Sequence, residues 1–532
     1  MTQETPPSPW WKSEYLLLTL ILLIGAGLRI ARSGYDVLTF DEQWHLELST
    51  ARGSVHETMP WDVIVPSAPP TGTLKGAPPW YRIWSSLGEA VHPPLYFITL
   101  RLWRDIMGEG IQAARSLSIL FSLLTIVLIF EAGRRSIGRW PALGAALLFA
   151  VAPNQVYMAQ QVRGYAMLQC VAMSGLLLVV LNQTSDRPRI VYIVLLGVAV
   201  LAMMLTHYFA IGGAVAIGLY AVLGLRGRTR WLALAALLVA AAVYSAIWIP
   251  WAMPQIRYVR IAGDWLGDDR GLKAKLSTML RVISAPWREI STHKPGYIDQ
   301  NPRFSEPWVY LGGILFFLPP LLMRRKPGML IWYLWLLGTI GFLAILDLAR
   351  STTHLRFTRY IAIAAPAVFG LTASLLEQSP QWIGRAIFAV IILAALGLNP
   401  QTYQKEEGDW ASIGRILDEH AQPGEAIVVY QGTVPRPSFA GYYYLAAGIY
   451  SDAFPRPVLK LSAPAARSLV EQLPGQTAWL ITTPEKPAPS DVLPATSVIE
   501  QYPVPGLVTC SRVRLRSAPA SQPPGLGDSS PP

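Results

Sequence analysis

Two adjacent carboxylates, Asp41 and Glu42, lie shortly after the first apolar run of the chain. A carboxylate at a dry membrane surface can accept a proton from a hydroxyl, which is the task of a general base. A structural role is also possible, because Thr39 followed three residues later by Glu42 fits a capping box. Neighbouring residues on a helix point about 100° apart, so both roles can be filled. We assign Asp41 to the base and Glu42 to the cap or to positioning of an acceptor.

Arginines at the ends of other apolar runs could hold a phosphate. Arg163 follows one run, and Arg356 and Arg359 precede another that begins at Tyr360. The guanidinium group matches phosphate oxygens bidentately. A helix extending back through this segment would place Arg356 and Arg359 on one face. The alternative is a loop anchored to anionic lipid headgroups.

Four more residues are candidates for substrate binding: His92, Tyr165, His207 and His354. His92 precedes two prolines, and proline suits the first helical turn, so a helix should begin here and lie along the membrane surface. For His207, a structural role between helices is the alternative to ligand contact.

The composition indicates that these residues are positioned by membrane spans. Hydrophobic residues make up 52% of the 532 residues and charged residues 14%, against about a quarter charged in soluble proteins. The net charge is +11, but the basic residues lie between apolar runs, which indicates topology signals and lipid contact rather than nucleic acid. Runs near the length of about 20 residues that crosses a bilayer predict about eleven spans, at residues 14–31, 114–131, 141–158, 164–181, 190–206, 208–225, 231–249, 309–323, 329–346, 360–376 and 385–399.

Four short basic loops would lie on one side of the membrane: Arg134–Arg139, Asp186–Arg189, Arg226–Arg230 and Arg324–Lys326. The positive-inside rule makes this side the cytoplasm. The N-terminus is then cytoplasmic and the C-terminus external.

The predicted fold is a helical polytopic membrane protein with a small external α/β domain. The transmembrane module covers residues 1–399, with long external loops at 32–113 and 250–308. The soluble domain covers 400–516, and a disordered tail rich in Pro, Ser and Gly covers 517–532. Within the domain, the pattern predicts a helix at Asp409–His420 and strands at Ala426–Tyr430, Pro457–Leu461, Ala478–Thr482 and Leu507–Leu515.

In these residues the chain resembles the GT-C superfamily of glycosyltransferases. The resemblance is to family-39-like bacterial transferases, which are related to protein O-mannosyltransferases and aminoarabinose lipid A transferases. It rests on Phe40-Asp41-Glu42, His92-Pro93-Pro94-Leu95-Tyr96, Ala114-Arg115-Ser116, Gln161-Val162-Arg163-Gly164-Tyr165, Arg356-Phe357-Thr358-Arg359-Tyr360 and Asp409-Trp410. His92 replaces the lysine expected of lipid A transferases, which speaks against aminoarabinose transfer.

The resemblance implies a polyprenyl-phosphate sugar donor and inversion at the anomeric carbon. It also implies that a carboxylate of the first external loop is the base, which maps onto Asp41, and Glu42 maps onto the second acid. We expect Arg163, Arg356 and Arg359 to hold the donor phosphate while an acceptor hydroxyl on a protein, lipid or glycan attacks. The scheme needs no metal and no cofactor.

Other functions remain open on the sequence. A transporter or flippase of lipid-linked sugars is the alternative from another class, although its polar residues should lie at mid-membrane in broken helices. An oligosaccharide or polymer transferase could use the same scaffold, and an assembly factor without catalysis is a further possibility. The expected location is the bacterial cytoplasmic membrane.

Overall fold

The computed structural model describes residues 11–31, 33–34, 37–183, 188–262, 266–267, 271–272, 326–402, 410–430, 439–462, 467–482, 498–504 and 508–515. The predicted span at 309–323, most of the predicted loop at 250–308 and the predicted tail at 517–532 lie outside these residues. The chain forms two compact units, which are described separately. The first comprises Met1–Asp36 and Pro78–Lys405, and the second comprises Val37–Ala77 and Glu406–Pro532.

The first unit is helical. Its α-helices are Trp11–Ile30, Leu95–Met107, Ile111–Ser136, Arg139–Val151, Pro153–Ala159, Tyr165–Gln183, Ile190–Thr206, Ala210–Leu223, Gly227–Ala262, Met329–Arg350, Thr358–Ile361, Ala365–Gln378 and Gln381–Thr402. Short 3-10 helices lie at Trp80–Ser85, His354–Arg356 and Ala362–Ala364. The predicted helix after the two prolines is confirmed, since Leu95–Met107 begins there.

Six of the described helices are long and apolar enough to cross a membrane: Ile111–Ser136, Tyr165–Gln183, Gly227–Tyr258, Met329–Arg350, Thr358–Gln378 and Gln381–Pro400. Helices Arg139–Val151 and Pro153–Ala159 pass the same test as a pair bent by 62°. The shorter apolar helices Ile190–Thr206 and Ala210–Leu223 coincide with two more predicted spans. The prediction of a polytopic helical membrane protein is confirmed, and the number of eleven spans stays a prediction.

The bent pair breaks at Pro153, which cannot donate a backbone hydrogen bond and begins the second helix. Side chains from other helices satisfy the carbonyls at the end of the first. Arg29, which is fully buried, donates from Nη1 to the Ala150 carbonyl at 2.7 Å. Asn399 Nδ2 donates to the Val151 carbonyl at 2.7 Å. The break is therefore a built part of the fold, with its backbone groups paired.

The second unit contains a six-stranded mixed sheet. Its strands are β1 (Ile64–Ala68), β2 (Ala426–Tyr430), β3 (Arg456–Leu461), β4 (Thr477–Thr482), β5 (Val498–Val504) and β6 (Val508–Arg514), in the order β1-β3-β2-β4-β6-β5. Strand β2 is parallel to β3 and β4, and the remaining pairs are antiparallel. The helices of this unit are Phe40–Leu48, Val55–Thr58, Ala411–His420, Phe439–Tyr450 and Arg467–Glu471.

The sheet has a hydrophobic cluster on each face. Successive residues of β2 belong to different clusters: Ile427 and Val429 pack in one, and Ala426 and Val428 in the other. A central strand buried on both faces explains its continuous apolar sequence.

The C-terminal mixed sheet domain is confirmed, with two differences from the expected strands. The sequence analysis did not predict β1 or β5. Each contains a proline, Pro66 or Pro503, which argues against a central strand, and each forms an edge of the sheet. Because β1 pairs with β3, the segment 37–77, which we expected in a loop of the transmembrane module, belongs to the second unit.

Candidate functional site

The carboxylates Asp41 and Glu42 open the helix Phe40–Leu48 in the second unit. The predicted capping box is confirmed: the Glu42 N–H donates to Thr39 Oγ1 at 3.3 Å, and the Thr39 N–H donates to Glu42 Oε2 at 2.9 Å. Glu42 is fully buried, whereas Asp41 is partly exposed in the first turn. The Glu42 carboxylate therefore binds at the helix start and is shielded from solvent, whereas Asp41 is partly accessible to it.

A buried contact between a carboxylate and an imidazole lies at the other end of this helix, and it was not predicted from the sequence. Glu47 Oε2 lies 2.5 Å from His56 Nδ1, and Glu47 Oε1 accepts a hydrogen bond from the His56 N–H at 3.0 Å. Both side chains are fully buried. The signal in the sequence was slight: a glutamate and a histidine nine positions apart in a segment that was expected to be a loop.

Tyr442 lies close to the start of the same helix, since the ring centroids of Phe40 and Tyr442 are 3.6 Å apart. Burial, with smaller contributions from the charges of Glu57 and Asp41, raises the pKa of Tyr442 to about 12. The phenol is thus neutral at physiological pH.

Four predicted substrate-binding residues lie together in the first unit. The His207 ring centroid is 4.8 Å from that of His92 and 5.5 Å from that of Tyr165. Phe209 joins them to His354, with its ring 4.8 Å from His207 and 5.3 Å from His354. We call these five side chains the imidazole cluster. Residues far apart in the sequence thus converge on one place.

Two of the predicted arginines adjoin the imidazole cluster. The Arg163 guanidinium lies over the Tyr165 ring at 4.9 Å from its centroid and donates to the Tyr165 hydroxyl at 3.4 Å. The Arg359 guanidinium lies 5.0 Å from the Tyr360 ring centroid, and the Tyr360 ring is 5.4 Å from that of His354. A guanidinium group over an aromatic ring gains a cation–π attraction, which restricts where the group lies.

The shared helical face of Arg356 and Arg359 was a wrong expectation. Arg356 ends the 3-10 helix His354–Arg356, and Arg359 lies in the separate helix Thr358–Ile361. Phe357 between them is extended, with φ −109° and ψ 121°. The helix therefore does not extend back through the segment, and Arg356 is positioned independently of Arg359.

His354 is held by Asp347, which the sequence analysis did not identify. Asp347 Oδ1 lies 2.7 Å from His354 Nδ1 and accepts a hydrogen bond from the His354 N–H at 2.9 Å. Asp347 is 3% exposed. A carboxylate on one ring nitrogen fixes which nitrogen faces the imidazole cluster.

Gly164 brings two of the sequence motifs together. A Cβ atom at this position would lie 3.3 Å from the Tyr96 ring. The close approach therefore requires a small residue between Arg163 and Tyr165. The motifs His92–Tyr96 and Gln161–Tyr165 are in direct contact. Across the described part of the chain, no three His, Cys, Asp or Glu side chains are grouped to hold a metal ion.

Part of the first unit matches a known protein family. Residues 91–253, which include His92, Arg163, Tyr165 and His207, match the family model described as Dolichyl-phosphate-mannose-protein mannosyltransferase. No curated protein matches the sequence.

Among solved structures, the fold is similar to that of ArnT from Cupriavidus metallidurans. The apo structure gives a TM-score of 0.58 at 16% identity, covering 94% of this chain and 98% of that one. The structure bound to undecaprenyl phosphate gives 0.56 at 15% identity, covering 96% and 99%. The resemblance inferred from the motifs is thus confirmed: residues 91–253 are similar to this mannosyltransferase family, and the fold of the polytopic chain is similar to that of ArnT.

Proposed function

We propose that this protein transfers a sugar from undecaprenyl phosphate, or a closely similar lipid phosphate, to an acceptor hydroxyl on the external side of a bacterial cytoplasmic membrane. The observation that carries the proposal is the imidazole cluster with Arg163 and Arg359 adjoining it. This arrangement suits a ligand that has a phosphate and a sugar, since arginine binds phosphate oxygens and imidazole and phenol groups bind hydroxyls. The similar ArnT fold, in a protein crystallised with undecaprenyl phosphate, supports the choice of lipid.

In the proposed reaction, the acceptor oxygen attacks the anomeric carbon as the bond from that carbon to the phosphate oxygen breaks. Asp41 takes the proton of the acceptor hydroxyl. The electron pair of the broken bond goes to the lipid phosphate, which gains one negative charge and needs no proton. Arg163, Arg356 and Arg359 stabilise that charge. A single displacement of this kind inverts the anomeric carbon.

The roles of the other candidates follow from their places. His92, Tyr165, His207 and His354 would bind the sugar, since they form the cluster between Arg163 and Arg359. Glu42 would maintain the helix that presents Asp41, through its bond to the Thr39 N–H.

Transport of a lipid-linked sugar is supported less well. The broken span at Pro153 is the feature that a transporter would share. In many transporters the exposed carbonyls of such a break bind the substrate or its ion. Here Arg29 and Asn399 bind the carbonyls of Ala150 and Val151. The break therefore serves the packing of the helices.

The donor site is tested by removing its arginines. With Arg163 and Arg359 both replaced by alanine, transfer from a purified undecaprenyl-phosphate sugar should fall by at least about 10²-fold, as expected when transition-state charge stabilisation is lost. The transfer rate of Arg359→Lys should lie between that of the wild type and that of the double alanine variant, because lysine keeps the charge without the planar fork. The control is Arg385→Ala, an exposed arginine of the same unit.

Rates would be normalised to folded protein in detergent. Full activity of the double alanine variant would overturn the donor site. Equal losses in the double variant and in Arg385→Ala would indicate general damage to the protein.

Sidedness is inferred from the basic loops, of which Arg134–Arg139 and Arg226–Arg230 lie in the described residues. A reporter active only outside the cytoplasm should be active when fused after Tyr403 and silent when fused within Arg226–Arg230. The reverse pattern would overturn an external site.

A further inference from the structure

One face of the helix Phe40–Leu48 packs on the ring of His56, beside the Tyr442 ring that contacts Phe40. Phe40, Trp44 and Glu47 are spaced i, i+4 and i+7, which places them on one face. The His56 ring centroid lies 5.8 Å from that of Phe40 and 5.6 Å from that of Trp44. Its Nδ1 lies 2.5 Å from Glu47 Oε2. His56 therefore contacts the helix from its first residue to its last turn.

His56 is held in turn by strand β3. Lys460 Nζ donates to the His56 carbonyl at 3.0 Å, and the ammonium lies 4.6 Å from the Trp61 ring centroid. The Lys460 carbonyl accepts a hydrogen bond from the Asp62 N–H at 2.8 Å. The buried contacts thus run without interruption from the sheet, through His56, to the helix that carries Asp41.

The buried Glu47 carboxylate and the buried Lys460 ammonium contribute little to stability, because the loss of hydration offsets much of their attraction to their partners. They restrict the positions of their partners strongly, because a displaced charge would be left unpaired in an interior without water. Asp41 lies one residue beyond Phe40 and therefore about 100° around the helix from the face held by His56. Any rotation of the helix about its axis moves the Asp41 carboxylate.

We propose that Glu47, His56 and Lys460 are positioning residues that set the rotation of the helix Phe40–Leu48 and so aim Asp41. The proposal rests on the assignment of Asp41 as the base. A displacement of about 1 Å can cost about 10²-fold in rate, so modest loosening is enough to be measured. The competing possibility is that the same contacts only stabilise the second unit.

The test is Glu47→Gln, which keeps the size of the side chain and removes its charge. We expect kcat to fall by about tenfold while KM for the undecaprenyl-phosphate sugar stays within about twofold, because the helix is misaligned and the donor arginines are untouched. Hydrogen exchange should become faster in peptides from the helix Phe40–Leu48 and stay unchanged in β2. Glu425→Gln is the matched control. Glu425 is a buried carboxylate of the same unit that accepts a hydrogen bond from Trp479 Nε1 at 2.9 Å, and its loss should lower stability without the kcat effect.

A double-mutant cycle then distinguishes an effect of Glu47 on the position of Asp41 from an effect on the stability of the second unit. If Glu47 acts through Asp41, adding Glu47→Gln to Asp41→Asn should cause no further loss of kcat. Multiplied losses in the double variant would overturn the positioning role, and so would wild-type kcat and wild-type exchange in Glu47→Gln. Full activity of Asp41→Asn would instead overturn the base assignment, which is a separate result.

Discussion

The imidazole cluster of the first unit and the helix Phe40–Leu48 of the second are held by different kinds of contact. In the cluster, the rings meet at tilted or edge-on angles between 38° and 86°, and the guanidinium groups of Arg163 and Arg359 lie over tyrosine rings. Ring contacts of this kind have no single donor–acceptor direction, so they tolerate sliding, and the contact of Asp347 with His354 is the directional one beside them. In the helix, a capping box and the buried contact of Glu47 with His56 fix both ends through directional bonds.

The difference matches what each region would have to do. A site for a flexible lipid phosphate has to accept a ligand that arrives in many conformations, so contacts that tolerate sliding are suitable. A general base has to meet one proton at one angle, so its helix has to be fixed. We therefore expect changes in the cluster to act on donor use, and changes around the helix to act on kcat.

The largest effect that tests this contrast is expected for Asp41→Asn. The substitution keeps the shape and removes the basicity, so kcat should fall by at least about 10²-fold, the lower range for general base catalysis. Glu42→Gln should lose less than about tenfold, because glutamine also serves at the third position of a capping box. Steady-state transfer assays on both variants, at equal concentrations of folded protein, measure the kcat of each relative to the wild type. A dead Glu42→Gln beside an active Asp41→Asn would reverse the two roles.

The smallest effect is expected in the pH dependence of folding stability, and it reports on the Lys460 amine alone. Burial lowers the pKa of Lys460 from 10.5 to about 8, although Glu57 and Glu47 oppose the shift. Between these two values the unfolded chain binds more protons than the folded one, so stability should rise with pH over this window. The gain should reach at most about 3 kcal/mol.

The comparison is made with Lys460→Met, which has no amine to titrate. The melting temperature of the wild type relative to this variant should increase from pH 8 to pH 10 in one detergent. A constant difference across that range would show that the Lys460 amine titrates normally and is not desolvated.

Much of both regions could be predicted from local sequence. The capping box needed only Thr39 and Glu42 at the right spacing, and the arginines at the ends of apolar runs were conspicuous because charge is rare there. The partners that hold these residues could not be predicted. Asp347 lies near the end of an apolar helix, and its link to His354 depends on a left-handed turn at Ser351 that the local pattern does not indicate.

The strands show the same limit. Central strand β2 has a continuous apolar sequence and was predicted, whereas β1 contains Pro66 and is recognised as a strand only when β3 is beside it. The pairing of Glu47 with His56 likewise needs the fold, since charged residues in a short polar segment normally face water.

The second unit is discontinuous in the chain, and this affects how the enzyme is made. The partners Lys460 and His56 are separated by 404 residues, and β1 pairs with β3 over a similar distance. Synthesis proceeds from the N-terminus, so the helix bearing Asp41 leaves the ribosome long before the strand that holds it. A nascent chain that stops before Arg456 contains every described span but lacks β3. Synthesis of β3 is thus the step at which the segment containing the helix Phe40–Leu48 first gains the strand that contacts it.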